Sequence, residues 1–149
     1  MGRLAQSAAS LRLIGDDLNP DEISRLLGKT PTDGHRKGET IVMSRGQTRV
    51  ARFGFWHVVA ERRAPANLDA QIEEVLAGTT NDLAIWAELA SKYRVELFCG
   101  LFIEDFNQGL RVSAASVRKL GERSITLDLD MYAQAEKSTL FWIGGIRDG

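Results

Sequence analysis

The stretch that decides the fold is LRLIGDDLNPDEISRLLG, residues 11–28. Its first four residues are apolar apart from one arginine and predict a strand, which ends in the turn residues that begin at Gly15. Asn19 then has the properties of a helix N-cap, and Pro20 those of a first helical residue, where the missing N–H costs nothing. Gly28 can adopt the left-handed conformation that ends a helix. The stretch therefore predicts a strand, a tight turn and a short capped helix.

Outside this stretch the same criteria predict further strands and helices. Residues 40–60 predict two strands with a break near residues 44–47, and residues 95–103 predict a long apolar strand. Helical spacing of the apolar residues recurs in three segments, residues 68–76, 83–93 and 113–120. A last strand alternates apolar and polar residues over residues 125–130. This order predicts an α+β fold, a mainly antiparallel sheet with helices packed on one face.

The sequence also indicates an internal duplication. The cap and the flanking apolar residues around Ser113 repeat the pattern around Asn19, and each predicted helix follows a strand and an acidic turn. The alternative is that any two short capped helices look this similar. The predicted fold therefore includes a candidate pseudo-symmetric duplication.

Length and composition set the class of protein. The chain has 149 residues, which fits one domain, and we expect a flexible N-terminal segment at residues 1–10 and a single α+β domain at residues 11–149. The net charge of -1 gives no global attraction for nucleic acid or anionic lipid. One cysteine, Cys99, lies in an apolar run, which argues for a reducing compartment. With no signal-like start and no apolar run long enough for a bilayer, we expect a cytoplasmic protein without a membrane span.

Several short pieces occur in a fixed order along the chain. They are Gly15-Asp16-Asp17-Leu18-Asn19-Pro20, Ile23, Leu27-Gly28, Pro31-Thr32, Lys37-Gly38, Trp56 and Leu127-Asp128-Leu129-Asp130-Met131-Tyr132. Taken together they make the chain resemble the bacterial domain-of-unknown-function family 4279 over roughly residues 11–132. The resemblance implies a small cytosolic bacterial protein. It implies no activity, because none is assigned to that family.

The predicted loop at residues 30–39 is the first candidate site. His35, Arg36 and Lys37 lie there between two glycines, in a chain whose charge is otherwise balanced. The glycines would let the backbone approach an anion closely, and Arg36 could bind it through two N–H groups. The alternative is a solvated loop whose charges only keep the protein soluble.

The two candidate positions in the central strand are Trp56 and His57. Being adjacent in a strand, they face opposite sides, so one faces the helices and the other the open side of the sheet. On the open side either could contact a ligand; a core tryptophan and a structural histidine are the alternatives. Asp128 and Asp130 share one face of the last strand and could hold a cation or do acid–base chemistry, or simply form a solvated polar face.

Other kinds of site lack a pattern. The two histidines are 22 positions apart and match no zinc spacing, and no Gly-x-Ser-x-Gly motif occurs. We therefore expect no metal and no cofactor, and assign no catalytic residue. The basic residues between Arg36 and Arg52 are followed by Phe53 and Phe55, which could form a nucleic-acid face. The balanced net charge argues against nucleic-acid binding.

Two functional hypotheses follow. The first is a non-enzymatic binding or protein-interaction module, a homodimer in the bacterial cytoplasm, which meets a protein partner through the open sheet face and residues 30–38. An immunity-like protein that neutralises its partner fits this description. The apolar segment at residues 140–143 supports self-association, since such a tail can add a strand to a sheet edge.

The second hypothesis is a small anionic-ligand binder or enzyme that uses the loop with His35, Arg36 and Lys37. A concave pocket where Trp56 or His57 meets that loop would favour the second hypothesis, and a flat patch would favour the first.

Overall fold

The computed structural model describes residues 2–133. Its centre is a five-stranded sheet made of β2 (Gln6–Gly15), β3 (Asp33–His35), β6 (Gly54–Val59), β7 (Arg94–Ile103) and β9 (Thr126–Ala133). The strand order is β3-β6-β2-β7-β9. Neighbouring strands are antiparallel except for β7 and β9, which run parallel. The sheet is therefore mixed but mainly antiparallel, as predicted.

Four helices pack against one face of this sheet, and this confirms the predicted α+β class. They are α1 (Pro20–Leu27), α2 (Leu68–Leu76), α3 (Leu83–Lys92) and α4 (Ala114–Glu122). Alternate side chains of the strands, such as Leu11 and Leu97, form one core with Ile72 of α2 and Trp86 of α3. Two smaller sheets stand outside the main one, β1 (Gly2–Arg3) with β8 (Gln108–Gly109), and β4 (Thr40–Val42) with β5 (Thr48–Val50).

Helix α1 begins and ends as its sequence predicts. The side chain of Asn19 accepts a hydrogen bond from the backbone N–H of Asp21 at 3.1 Å, and Pro20 is the first helical residue. Gly28 has a φ of 74° and donates its N–H to the carbonyl of Ser24. Because these signals are local, the helix could be placed from its own residues.

The N-terminal boundary needs a correction. Residues 6–10, expected to belong to a flexible segment, form the first half of the central strand β2. Ser7 is fully buried, and its hydroxyl donates to the side-chain carbonyl of Gln71 at 2.7 Å. A serine with a buried partner can lie inside a protein, but the sequence near residue 7 carries no apolar pattern that would reveal it.

The segment between α1 and β6 also differs from the prediction. The expected loop at residues 30–39 contains β3, which forms one edge of the main sheet by pairing with β6. Residues 40–60 contain three strands rather than two. Strand β3 has only three residues and includes Gly34, so it has too few side chains to show a two-residue period.

The candidate duplication stays a prediction. Strand β3 runs in the same direction as β2, because each is antiparallel to β6, which lies between them. Strand β9 also returns parallel to the strand before its helix, but it lies directly beside β7. The two strand–helix–strand units therefore share an order of elements and differ in where the last strand is placed.

Two predictions concern the apolar segment near the C-terminus and the absence of a membrane-spanning helix. The apolar segment at residues 140–143, with the strand expected there, lies outside the described residues. Within residues 2–133, no helix has the length and apolar character needed to cross a bilayer.

Candidate functional site

The face of the main sheet opposite the four helices is here called the open face, although many of its side chains are buried. It collects polar side chains of the central strands. Successive side chains of a strand alternate between the two faces. Since Leu11, Leu13 and Trp56 belong to the core, Arg12 and His57 project to the open face. These two residues lie opposite each other in the β2–β6 register.

A row of ionisable residues crosses the open face at this level. On one side of the pair, Asp33 of β3 lies opposite His57. On the other side, Glu96 of β7 lies opposite Arg12, and its carboxylate is also 3.6 Å from the guanidinium of Arg94. Four strands thus contribute one ionisable residue each to a single row, in the order Asp33, His57, Arg12 and Glu96.

The two histidines of the chain lie on this face, and each packs against the same ring. The ring centroid of Phe55 is 5.4 Å from that of His35 and 4.5 Å from that of His57. His35 was predicted in an exposed loop, but it lies in β3 and is 8% exposed. Its Nδ1 is buried and has no hydrogen-bond partner among residues 2–133. The pairing of β3 with β6 brings His35 and His57 together.

His57 is held in its neutral form. Burial, and to a smaller extent the nearby positive charge of Arg12, lower the pKa of His57 to about 4. The carboxylate of Asp33 acts in the opposite direction and compensates only in part. Its Nδ1 lies 3.5 Å from the hydroxyl of Ser10, at the outer limit of a hydrogen bond. A general base works best when its pKa is near the working pH, so His57 is poorly suited to proton abstraction at neutral pH.

Arg12 is a packed residue of this face. It is 1% exposed, and its guanidinium carbon lies 4.1 Å from the ring centroid of Phe98. Burial lowers the pKa of Arg12 to about 10, although the charge of Glu96 acts in the opposite direction. The guanidinium therefore stays charged at neutral pH, stacked on a ring as a cation–π pair.

Arg36 and Lys37 follow β3 and stay at the surface. Both are exposed, and the ammonium of Lys37 is 3.2 Å from the carboxylate of Asp16 in the turn before α1. The loop therefore does not bring its two basic side chains together with a histidine into one buried site. Of His35, Arg36 and Lys37, only His35 packs against the ring of Phe55 on the open face.

The prediction that Trp56 contacts a ligand needs a correction. It is fully buried on the helix side of the sheet, and its indole N–H donates to the hydroxyl of Ser24 at 3.1 Å. Its polar group is satisfied and its ring is part of the core, so we remove Trp56 from the candidate ligand-binding residues.

The most exposed structure near the predicted loop is a projecting hairpin. We call residues 36–52 the basic arm: they include β4 and β5 and carry five basic side chains and one acidic side chain. From residue 36 to residue 50 every residue except Ile41 is exposed. Val42 and Val50 share one face of the hairpin and are 72% and 62% exposed. The arm is therefore a cationic surface, and one face of its hairpin, here called the apolar face, is uncharged and consists of Thr40, Val42, Thr48 and Val50.

The arm is joined to the body at a buried base. The N–H of Ala51 donates to the carbonyl of Glu39, and its carbonyl accepts from the N–H of Gly38, each at 2.8 Å. Ala51 is 3% exposed. At the tip, the N–H of Met43 donates to the carbonyl of Gln47 at 2.7 Å.

The thiol and the carboxylates give no metal centre in the described part of the chain. Residues 2–133 contain no group of three or more His, Cys, Asp or Glu side chains placed to hold a metal ion. Cys99 is fully buried, and burial raises the pKa of its thiol to about 12. A thiol with this pKa is not a nucleophile at neutral pH. On β9, the carboxylate of Asp130 accepts a hydrogen bond from the hydroxyl of Tyr132 at 2.6 Å.

Arg12 and Asp33 were not among the predicted site residues. Arg12 stands between two core leucines, and this alternation is the signal that would have assigned it to the open face. Asp33 has no comparable signal, because its position depends on the pairing of β3 with a strand more than 20 residues later.

Comparisons with known proteins identify a family. The profile described as Domain of unknown function (DUF4279) matches residues 5–134, a range that includes every strand of the main sheet. No curated protein and no solved structure matches the chain. The match confirms the resemblance seen in the sequence. The chain belongs to the DUF4279 family, a family of domains of unknown function.

Proposed function

We propose that this protein is a non-enzymatic protein-binding module and that the basic arm is its contact surface. The observation that carries the proposal is the exposure of Val42 and Val50, at 72% and 62%, on one face of a hairpin that projects from the main sheet. An isolated two-stranded hairpin is at best marginally stable in water, and contiguous exposed apolar groups mark contact sites. A partner that covers this face would stabilise the hairpin.

The charge of the arm favours a partner with an acidic protein surface. Five basic side chains and one acidic side chain lie within residues 36–52, whereas the whole chain has a net charge of -1. Attraction between opposite charges speeds association and selects partners, while the apolar face supplies the buried area. An immunity-like protein that neutralises an acidic partner would be one form of this function.

The rings that a nucleic-acid face would need are used elsewhere. Phe55 is 7% exposed and packs against two histidines. The ring of Phe53 lies 6.5 Å from that of His35. Single-stranded nucleic acid is held by exposed rings on which bases stack. The arm itself has valine and methionine where stacking rings would be required, which favours a protein partner.

The alternative of an enzyme or anion site at the predicted loop has weaker support. His35 is buried in β3, and Lys37 pairs with Asp16. His57, with its pKa lowered to about 4, is a weak base. We therefore assign no catalytic residue.

The experiment that tests the proposal measures binding to a co-purified partner. The tagged full chain is purified from cells of its source, and the binding of each stoichiometric protein is then quantified with purified components. We expect binding to weaken at high salt and to fall at least tenfold for Arg45→Gln/Arg49→Gln and for Val42→Thr/Val50→Thr. The control Arg25→Gln/Arg118→Gln removes the same charge from two exposed arginines outside the arm.

Each outcome bears on the proposal. A partner that binds all four proteins equally, or binding only of nucleic acid, would contradict it. A partner lost with the arm variants and kept by the control would support it. A cytoplasmic location is part of the proposal, since the single thiol is buried and has no second cysteine with which to form a disulfide within the chain.

Self-association is a second candidate, and a different observation favours it. Leu127, Leu129 and Met131 alternate on the helix side of the edge strand β9 and are 38%, 39% and 61% exposed. Within residues 2–133, β9 pairs with β7 alone. An edge strand with exposed apolar side chains is a template for pairing with a second copy. We propose that a homodimer forms through this edge.

Sedimentation equilibrium of the full chain tests the homodimer. We expect the mass of a dimer at about 100 μM, a concentration at which a micromolar complex is fully formed. We expect a monomer for Leu129→Lys/Met131→Lys, because lysines on an edge strand oppose pairing. A wild-type monomer at this concentration would contradict the proposal, and so would a dimer that keeps its mass in the variant.

A further inference from the structure

A groove of about 900 Å³ is lined by residues outside the predicted loop and the basic arm, and the proposed function does not use it. It forms where β1, the start of α2 and the segment after β8 meet. Its walls include Arg3, Asn67, Asp69, Leu110, Arg111 and Val112. The volume is within the range of small-molecule sites, about 300–1,000 Å³.

Backbone pairing over long sequence distances builds this groove. The N–H of Leu4 donates to the carbonyl of Gly109 at 2.9 Å, and the N–H of Ala66 donates to the carbonyl of Leu4 at 3.0 Å. The N-terminal residues are thereby fixed between two other segments. The groove is a property of the folded chain, which explains why no local motif indicated it.

Arg3 is positioned on one wall. Its Nε donates to the carbonyl of Ala66 at 3.2 Å. This bond uses one of five N–H donors of the guanidinium, and the planar group is oriented by it. Arg111 supplies a second guanidinium from the segment after β8. Two guanidiniums on one groove are the groups that bind carboxylate or phosphate through paired hydrogen bonds.

The acidic residue of the groove already has partners. One oxygen of Asp69 accepts a hydrogen bond from the N–H of Ser113 at 3.0 Å. Burial acts to raise the pKa of Asp69, but hydrogen bonds from Ser116 and Ser113 outweigh it and lower that pKa. Asp69 therefore fastens the start of α4 to α2, and the two arginines leave the groove with an excess of positive charge.

We propose that this groove binds a small anion, a phosphate or carboxylate group carried on an apolar body. The anionic group is held by Arg3 and Arg111, and the apolar body lies against Leu110 and Val112. The proposal is independent of the basic arm, which lies on other residues. The groove is a separate site from the one predicted at Arg36 and Lys37.

Titration calorimetry of the full chain tests this site with three probes. Phenyl phosphate and benzoate carry the two kinds of anionic group on the same ring, and benzyl alcohol carries no charge. We expect one or both anions to bind, and benzyl alcohol to bind at least tenfold more weakly. The stronger anion identifies whether phosphate or carboxylate is the preferred group.

Variants then locate the binding. We expect Arg3→Gln/Arg111→Gln to weaken the binding of the anion by at least tenfold, because each arginine supplies charge-assisted hydrogen bonds. The double variant Arg36→Gln/Arg45→Gln removes the same charge from the arm and should bind as the wild type does. Arg111→Gln alone leaves the Arg3–Ala66 bond in place and gives a variant whose fold is not in question.

Three results would overturn the proposal. They are binding of neither anion at millimolar concentration, equal binding of benzyl alcohol, and unchanged binding in both groove variants. Loss of binding in the arm variant alone would return the anion site to the predicted loop, and would equally overturn this assignment.

Discussion

Gly54 lies so close to Leu18 that a Cβ atom at position 54 would stand 2.6 Å from the Leu18 carbonyl oxygen. The same atom would be 2.6 Å from the carbonyl oxygen of Gly15. Both obstacles are backbone atoms of the turn between β2 and α1. This contact fixes the start of β6 against the turn that the first stretch of sequence predicts.

Substitution at this contact should destabilise the fold. We expect Gly54→Ala to lower the free energy of unfolding by about 1–3 kcal/mol, since two backbone segments must separate. The matched control is Gly121→Ala in α4, where an added Cβ meets nothing within 4 Å. There the free energy of unfolding should stay the same or rise by up to about 1 kcal/mol. Urea unfolding of both variants measures the difference, and equal effects would contradict the packing argument.

Loss of the Ser24 hydroxyl should destabilise the fold, because this hydroxyl accepts a hydrogen bond from the indole of Trp56. Ser24→Ala leaves the buried Trp56 N–H without its partner, and we expect a loss of about 1 kcal/mol in the free energy of unfolding. Ser91→Ala is the control, because the Ser91 hydroxyl bonds a carbonyl of its own helix at an exposed position. Both changes place alanine in a helix, so the gain in helix propensity cancels. A control that loses as much as Ser24→Ala would contradict the role of the bond.

The free energy of unfolding should decrease as the pH is lowered through the range where His57 titrates. Its pKa is lowered from 6.5 to about 4 in the folded chain. Between these values the unfolded chain binds more protons than the folded one, so unfolding becomes easier as the pH falls. The stability linked to His57 is complete above about pH 6.5 and is lost progressively toward pH 4.

His57→Gln isolates this contribution, because glutamine does not titrate. We expect the difference in free energy of unfolding between the wild type and this variant to shrink as the pH is lowered from 7 to 4, measured by urea unfolding at each pH. The other titratable or charged groups near His57 are Arg12, Asp33 and His35, and they remain in both proteins. Parallel pH profiles would mean that the pKa of His57 is the same in the folded and the unfolded chain, and would contradict this prediction.

Shortening the basic arm should leave the body folded. Thr40 and Val50 are paired across the hairpin, so an Asn-Gly turn can replace residues 41–49 and close the two strands. We expect the free energy of unfolding to change by no more than about 1 kcal/mol, because the removed residues are almost all exposed. Ala51→Asp at the buried base is the contrasting variant and should be strongly destabilising. A shortened chain that does not fold would contradict the separation of arm and body.

The elements that could be predicted are those whose signals are local. Helix α1 carries its cap, its first proline and its terminal glycine within ten residues, and the structure shows each of them in its expected place. The first half of β2 escaped prediction because its buried serine is satisfied by Gln71, 64 residues away in the chain. Local composition does not contain that information.

The candidate site follows the same division. His35 and His57 could be selected by residue type, but their shared face depends on the pairing of β3 with β6. Arg36 and Lys37 were grouped with His35 because they are adjacent in sequence, whereas β3 ends at His35 and leaves both basic residues outside the strand. The groove at Arg3 and Arg111 joins residues more than 100 positions apart, and no reading of neighbouring residues would bring them together.

The place of β2 in the sheet has a consequence for how the chain is made. Strand β2 is the first strand of the main sheet in chain order, yet its neighbours are β6 and β7, and Gln6 pairs with Phe102. A ribosome must therefore synthesise the chain as far as the end of β7, at Ile103, before the central strand has both neighbours. Non-local pairing of this kind slows folding and leaves apolar strand surface exposed meanwhile. Nascent chains should depend on chaperones most strongly in the interval between the emergence of β2 and that of β7.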